Sequence, residues 1–419
     1  MTDDALDDLL SLATAQSVDP EMVPDILPVD ARLAITGPVG VFAALFDRAA
    51  SITPAKEIIP GTGYALLTAV AATQTALAYV QVTATDGDMT SVMVAGGVDV
   101  LMAGSVLVPG KKFVEILKTT PTSQVRIEVL GNTATLRSGR AQWSVQTPIG
   151  DALPPAADVS GVLTFPVPVA SLLGALVSAR KAASTSTARA SLMQLEVKDG
   201  SITGLDGGRM HRQRVENLVS SENFTIPLRV AEEVIRLLRS TEEETVEVGA
   251  NSSHLIFRVG HDQIVAQQSL SPYPDVETQV VGPALTNTST LTLVRTDLIE
   301  AVKRVRINAD PDYQALFLTL TPGVAAADGP TWTLVISAQD RIHNAARETI
   351  DVGWKGPAKP RALCVNHRYL SDLLTTMDEE FIAFKVGEDS KTVRLPLFVE
   401  DTTRGFTGWV QQMRPGYMS

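Results

Sequence analysis

Cysteine is nearly absent. Cys364 is the only one among 419 residues, so no internal disulfide can form and a reducing compartment fits best. No cationic segment followed by an apolar run opens the chain, so no secretory signal is expected. No uninterrupted apolar stretch is long enough to cross a bilayer. These absences predict a cytoplasmic protein with no membrane contact. Catalytic signatures are missing too. His211, His254, His261, His343 and His367 form no metal-spaced pair and read as structural residues. VPGKKF lacks the G-x-x-x-x-G-K-[ST] spacing of a P-loop. Asp206, in LDGG, reads as a turn residue, and Cys364, in an apolar strand, as packing. No cofactor and no metal are expected.

Positive charge is missing from residues 1–30, which carry Asp3, Asp4, Asp7, Asp8, Asp19, Glu21, Asp25 and Asp30. That segment holds −8 of the net −12 and leaves −4 on everything else. An acidic chain of this kind can still present a basic surface where the signs are segregated. Within the segment, Leu6, Leu9, Leu10 and Ala13 fall on one helical face, with aspartates in the first turn.

Apolar residues make up 45% of the chain, and its length suggests about three domains at roughly 150 residues each. The pattern repeats three times. Each unit opens on an amphipathic helix: VGVFAALFDRAASIT (39–53), VPVASLLGALVSARKAAST (167–185) and LVRTDLIEAVKRVRINAD (293–310). Strand and turn chemistry follow in 80–94, 195–216 and 332–348, with Asp86, Asp206 and Asp340 in comparable places. A strand end, a Pro or Asn and a second helix come next, in 106–121, 224–241 and 363–380. Alternating strands close each unit, in 125–147, 246–270 and 381–400. The proline-containing stretches 154–160 and 281–290 read as joints. The expected class is α+β, with two helices per unit packed on antiparallel sheet. The expected division is an acidic extension (1–30) and three units (31–157, 158–283 and 284–419).

The helices carry a shared bias. In 229–239, Val230, Val234 and Leu237 share one face, and Arg229, Arg236 and Arg239 lie on the other. In 111–118, Phe113 and Leu117 oppose Lys111 and Lys118, with Lys112 beside them. Lys303, Arg304 and Arg306 end the third unit's first helix; Arg180 and Lys181 end the second unit's, and Arg189 follows. Singly, each helix reads as a solvated face whose cations suit a C-terminal dipole. Repeated in every unit, they predict a positive surface that attracts phosphates without reading bases.

In order and wording, these segments resemble the β sliding clamp family, the processivity subunit of bacterial DNA polymerase III. VLVPGKKFVEILKTTPTSQVRIEVLGNTATLRSGRAQWSVQT (106–147) is similar to the family's first-domain pattern of V-P-x-[RK]-K-F, a helix ending near a Pro, a strand and R-S-G-R. ITGLDGGRMHRQRVE (202–216) is similar to the A-T-D-G-H-R-L segment, SLSPYPDVETQV (269–280) to the F-P-D-Y segment and NHRYLSDLL (366–374) to the N-x-x-Y-L-x-D-x-L helix. The resemblance implies three DNA-clamp domains per chain and a ring closed as a head-to-tail homodimer, with helices facing duplex DNA. It implies that polymerase and clamp-loader subunits dock short peptide motifs in a pocket. Carried over by position, that pocket holds Leu205, Gly207, Arg209, Met210, Pro274, Val280, Val410 and Met413, and Lys56 takes the place of a DNA-contacting basic residue. Gly208 stands where the family often has His, Thr278 and Gln279 replace the usual basic and apolar residues, and the chain ends QQMRPGYMS (411–419). A non-catalytic structural ring built from the same repeats is the alternative, since it shares the repeats and the lack of catalysis but has no need of Lys and Arg on the same helices.

Overall fold

The computed structural model describes residues 33–148, 152–218, 223–269, 271–286, 288–326, 329–387 and 397–413. The acidic extension 1–30, with its Leu6–Ala13 face, and the last six residues lie outside the described residues.

Six helices form where the apolar spacing predicts them: α1 (Val39–Ile52), α2 (Gly110–Lys118), α3 (Val169–Ala182), α4 (Leu228–Arg239), α5 (Arg295–Val305) and α6 (His367–Leu374). Three of their starts share one device. Strands 33–38, 164–168 and 224–227 end on Pro38, Pro168 and Pro227, and the next residue is already helical. Proline suits this junction because its ring holds φ near −60° and it has no N–H to offer a sheet. At α6 the same place falls to Asn366, whose side chain accepts from the Arg368 N–H at 2.9 Å.

The turns repeat as well. Asp86 Oδ1 accepts the Asp88 and Met89 N–H groups at 3.0 and 2.7 Å. Asp206 Oδ1 accepts those of Gly208 and Arg209 at 2.8 and 3.0 Å. Asp340 Oδ1 accepts those of Ile342 and Asn344, both at 2.9 Å. The aspartates are hairpin turn anchors, as expected of Asp206.

The chain divides into two compact units: residues up to Pro166 with Thr241–Gln267, and Val167–Ser240 with Gln268 onward. The division cuts through the middle repeat because the sheets run across repeats. In the first unit, strand 262–267 pairs antiparallel with 89–95, joining the hairpins of 245–267 to those of the first repeat. Strands 99–102, 33–38, 124–130, 133–138 and 141–146 form a separate five-stranded sheet there. Its inward residues Leu33, Ile35, Val125, Ile127, Val129, Ala134 and Leu136 are all buried. Phe46 of α1 meets Phe113 of α2 with ring centroids 4.9 Å apart. In the second unit, strand 209–214 pairs with 406–410, so the middle and last repeats share one twelve-stranded sheet.

The stretch 281–290, expected as a joint, exposes Gly282, Pro283, Leu285, Thr286 and Thr288 but is anchored at its start by a helical turn. Glu277–Val281 forms a π-helical turn, Gly282–Leu285 a short helix, and strand 289–294 starts soon after. Val276, Val280, Val281 and Ala284 are buried against Met210, Phe398 and Trp409. Apolar side chains at that spacing make the segment part of a core.

Candidate nucleic-acid interface and partner pocket

The helix cations are mostly exposed, and most are already engaged. On α2, Lys111 donates to the Pro54 carbonyl at 3.0 Å, Lys112 pairs with Glu115 at 2.8 Å, and Lys118 pairs with Asp47 of α1 at 3.0 Å. On α3, Arg180 pairs with Glu232 of α4 at 2.6 Å. Arg229 and Arg236 are exposed on α4, and Arg236 lies 3.8 Å from Glu233. On α5, Lys303 pairs with Glu300 at 2.7 Å, and Arg304 with Glu348 at 2.6 Å. Lys56 is exposed in the loop after α1. These pairs sit in solvent, where each contributes little and exchanges readily.

Two of the expected cations are placed differently. Lys181 is half-buried and turned toward the end of α6, donating to Thr376 Oγ1 at 3.2 Å; burial holds its ammonium below the usual lysine range, opposed by Asp372. Arg189 donates to the Asp206 carbonyl and so braces the 205–210 hairpin. Conversely, Arg306 and Arg368 are exposed next to the buried His367. Burial, then these two guanidiniums, push that imidazole down to about 4. Arg306 and Lys303 also rim a cleft of about 170 Å³ between α5 and α6, floored by Ile299 and Leu374. Arg368 was legible as a polar residue on an amphipathic helix but lacks a basic neighbour at helical spacing.

The expected pocket residues converge in part. Leu205, Met210 and Val280 share one buried cluster with Leu192, Val276, Val281, Ala284, Phe398 and Trp409, against which Tyr273 packs. Val410 is not among them. It faces the other side of its strand and joins the main core with Phe406 and Leu397, while Trp409 faces the cluster. Strand residues alternate faces, so a shift of one position exchanges them. Pro274 is half-buried beside Tyr273, and Met413 donates its N–H to the Cys364 carbonyl at 2.8 Å. Met210 is 0% exposed and therefore is no open wall.

The hairpin glycines do not leave free space for a ligand backbone. A Cβ on Gly208 would meet Tyr369 Cε2 at 2.9 Å, and the Gly208 carbonyl accepts the Gln411 N–H at 2.9 Å. Gly207 has φ +87°, which the turn requires, and packs on Arg189. Arg209 is fully engaged: Nε to Asp206 Oδ2 at 2.9 Å, a second pair with Asp372, and its guanidinium 4.4 Å from the Tyr369 ring centre. The hairpin is thus locked to α6 by charge and stacking.

The family described as DNA polymerase III beta subunit, N-terminal domain, matches residues 47–154. A beta sliding clamp of Synechocystis is 24% identical over 321 residues, covering 70% of this chain and 79% of that protein. Among solved structures, a beta sliding clamp of C. crescentus superposes with a TM-score of 0.79 at 21% identity, covering 92% of this chain and 100% of the other; its description places polyethylene glycol at a putative beta-motif tethering region. A sliding clamp from Pseudomonas aeruginosa bound to griselimycin gives 0.78 at 20% identity with the same coverage.

Proposed function

We infer that this chain is a member of the β sliding clamp family, a processivity subunit that encircles duplex DNA and tethers a replicative polymerase to it. The observation that carries the reading is repetition: exposed lysines and arginines recur on α2, α4 and α5, one helix from each repeat, and each helix buries its apolar face. Such cations hold phosphates of any sequence. The phosphate-facing set is Lys56, Lys111, Lys112, Arg180, Arg229, Arg236, Lys303 and Arg304, joined by Lys118 on the same face of α2 as Lys111, with Lys181 and Arg189 acting through the local structure they brace. A topological tether carries out no bond chemistry, so the reading assigns no catalytic residue and no cofactor. The protein works in the cytoplasm, where bacterial DNA is replicated.

Partners dock by short apolar peptides at the 205–210 hairpin, the Pro274–Val280 segment and the end of the chain near Met413. Here the accessible surface is the rim of the Trp409 cluster and not its buried interior. The three repeats are units 31–157, 158–283 and 284–419, and a second copy completes the ring head to tail. Two strand edges suit that closure. Strand 141–146 pairs only with 133–138, and 345–350 only with strand 329–339, among the described residues. Ala141, Trp143 and Val145 on the first edge are half-buried, leaving apolar surface for a neighbour to cover.

Retention on DNA tests the reading. After loading, the protein should remain on closed circular duplex through gel filtration and leave the same DNA once it is linearised. Equal retention on both forms would make it an ordinary binding protein. No retention on either, with an intact ring, would favour the structural-ring alternative.

A further inference from the structure

The five-stranded sheet of the first unit carries an uncovered apolar patch beside the point where the described chain begins. Strand 33–38 turns Leu33 and Ile35 inward and Ala34 and Thr36 outward. Ala34 pairs with Met102 on one side and Glu128 on the other, so all three share the outer face, and Leu130 follows Glu128 on it. Met102 is 43% exposed and Leu130 64%. Leu101, at 55%, lies where the edge strand 99–102 loses register with its partner. Beyond the patch the same face carries the exposed Asp99 opposite Thr36 and then a larger group of arginines. Arg126 and Arg137 share one carboxylate, each donating to Glu128 at 2.7 Å, and Arg140 is exposed in the next turn.

We propose that this patch is the docking site of the chain's own acidic segment, residues 2–17. The two surfaces are complementary in both chemistries. The segment's sequence sets Leu6, Leu9, Leu10 and Ala13 at helical spacing and surrounds them with Asp3, Asp4, Asp7 and Asp8. The patch offers aliphatic side chains flanked by an excess of arginine. Chain continuity supplies the third argument. The segment is tethered through residues 18–32 to strand 33–38, whose Ala34 is itself part of the patch, so binding is intramolecular at an effective concentration on the order of millimolar. Docking there covers an exposed edge strand. It also holds those four aspartates on the outer face of the sheet, the side away from buried Leu33 and Ile35.

Cross-linking in the full chain tests this, in a Cys364→Ser background. Leu9→Cys with Leu130→Cys should form an intramolecular disulfide at least about tenfold faster than Leu9→Cys with Ile58→Cys, since Ile58 is also exposed but sits in the loop after α1. Adding Leu6→Ser and Leu10→Ser should abolish that preference. Equal rates for the two pairs, or a product that joins two chains, would overturn the proposal. So would a preference that survives the serine substitutions, because proximity along the tether would then account for it.

Discussion

Removing two carboxylates should tighten the hold on DNA. Lys118 is paired with Asp47 at 3.0 Å in the first unit, and Arg180 with Glu232 at 2.6 Å in the second. All four side chains are between 43% and 63% exposed. A phosphate that takes either cation must first displace its carboxylate, and an exposed pair is worth about 0.2–1 kcal/mol. Asp47→Asn with Glu232→Gln removes both competitors and leaves the helices intact. Binding should strengthen by about 0.4–2 kcal/mol, which is roughly 2- to 30-fold in affinity. The log–log dependence on salt should steepen by about one for every additional phosphate that is neutralised. Fluorescence anisotropy on a short duplex at two salt concentrations measures both quantities, and tracking on stretched DNA should show slower diffusion of the variant. Arg229, Arg236 and Lys111 changed together to Glu should move all three observables the other way. A folded double variant with unchanged affinity and unchanged salt slope would refute the view that these cations face phosphates.

Two further outcomes follow from buried groups. His211 is 0% exposed, and burial pushes its imidazole down to about 3. Its stabilising contribution is therefore complete above the unfolded value near 6.5 and declines as pH falls toward 3. Urea melts should show wild type losing about 2 kcal/mol more than His211→Gln between about pH 7.5 and about pH 5, and equal losses would exclude a neutral core histidine. At the pocket, Trp409→Ala should weaken a polymerase C-terminal peptide by about 1–3 kcal/mol in calorimetry. Val410→Ala should leave that affinity alone while costing about 2 kcal/mol of stability, and the reverse pattern would put the wrong face of the strand toward the partner.

Much of the helix layout was legible because the helices satisfy local rules: apolar spacing on one face, proline or Asn before all but α5, and cations at the ends of α2, α3, α4 and α5. The strands of 125–147 likewise follow the alternation of Val125, Ile127 and Val129. Three things were not legible, for one shared reason. The pairing of 262–267 with 89–95, of 209–213 with 406–410, and of Arg304 with Glu348 all depend on which distant edge arrives next to which. Period and composition say that an edge exists, but they do not say what it meets. That Trp409 and not Val410 faces the cluster of Leu205, Met210 and Val280 is a smaller case, which a single residue of register decides. The segment Val276–Ala284 differs for another reason: its Gly-Pro has the composition of a joint, although Val276, Val280 and Ala284 already stand at helical spacing.

On the proposed function, the self-paired cations and the acidic net charge fit a single requirement. A ring that slides must be held by many contacts of nearly equal, small energy, because any one strong contact would be a place to stop. Bare clustered arginines would bind phosphates tightly and raise the barrier for each step. Pairs such as Arg180–Glu232 and Lys303–Glu300 lower that barrier, since the carboxylate takes the cation back as the phosphate leaves. The overall charge of −12 does not cancel this local attraction. Exposed charges farther apart than a Debye length, about 8 Å at physiological salt, are largely screened, so the duplex responds to the nearest side chains and not to the sum. The acidic excess is then free to sit elsewhere on the chain, and two-thirds of it is carried by residues 1–30 alone.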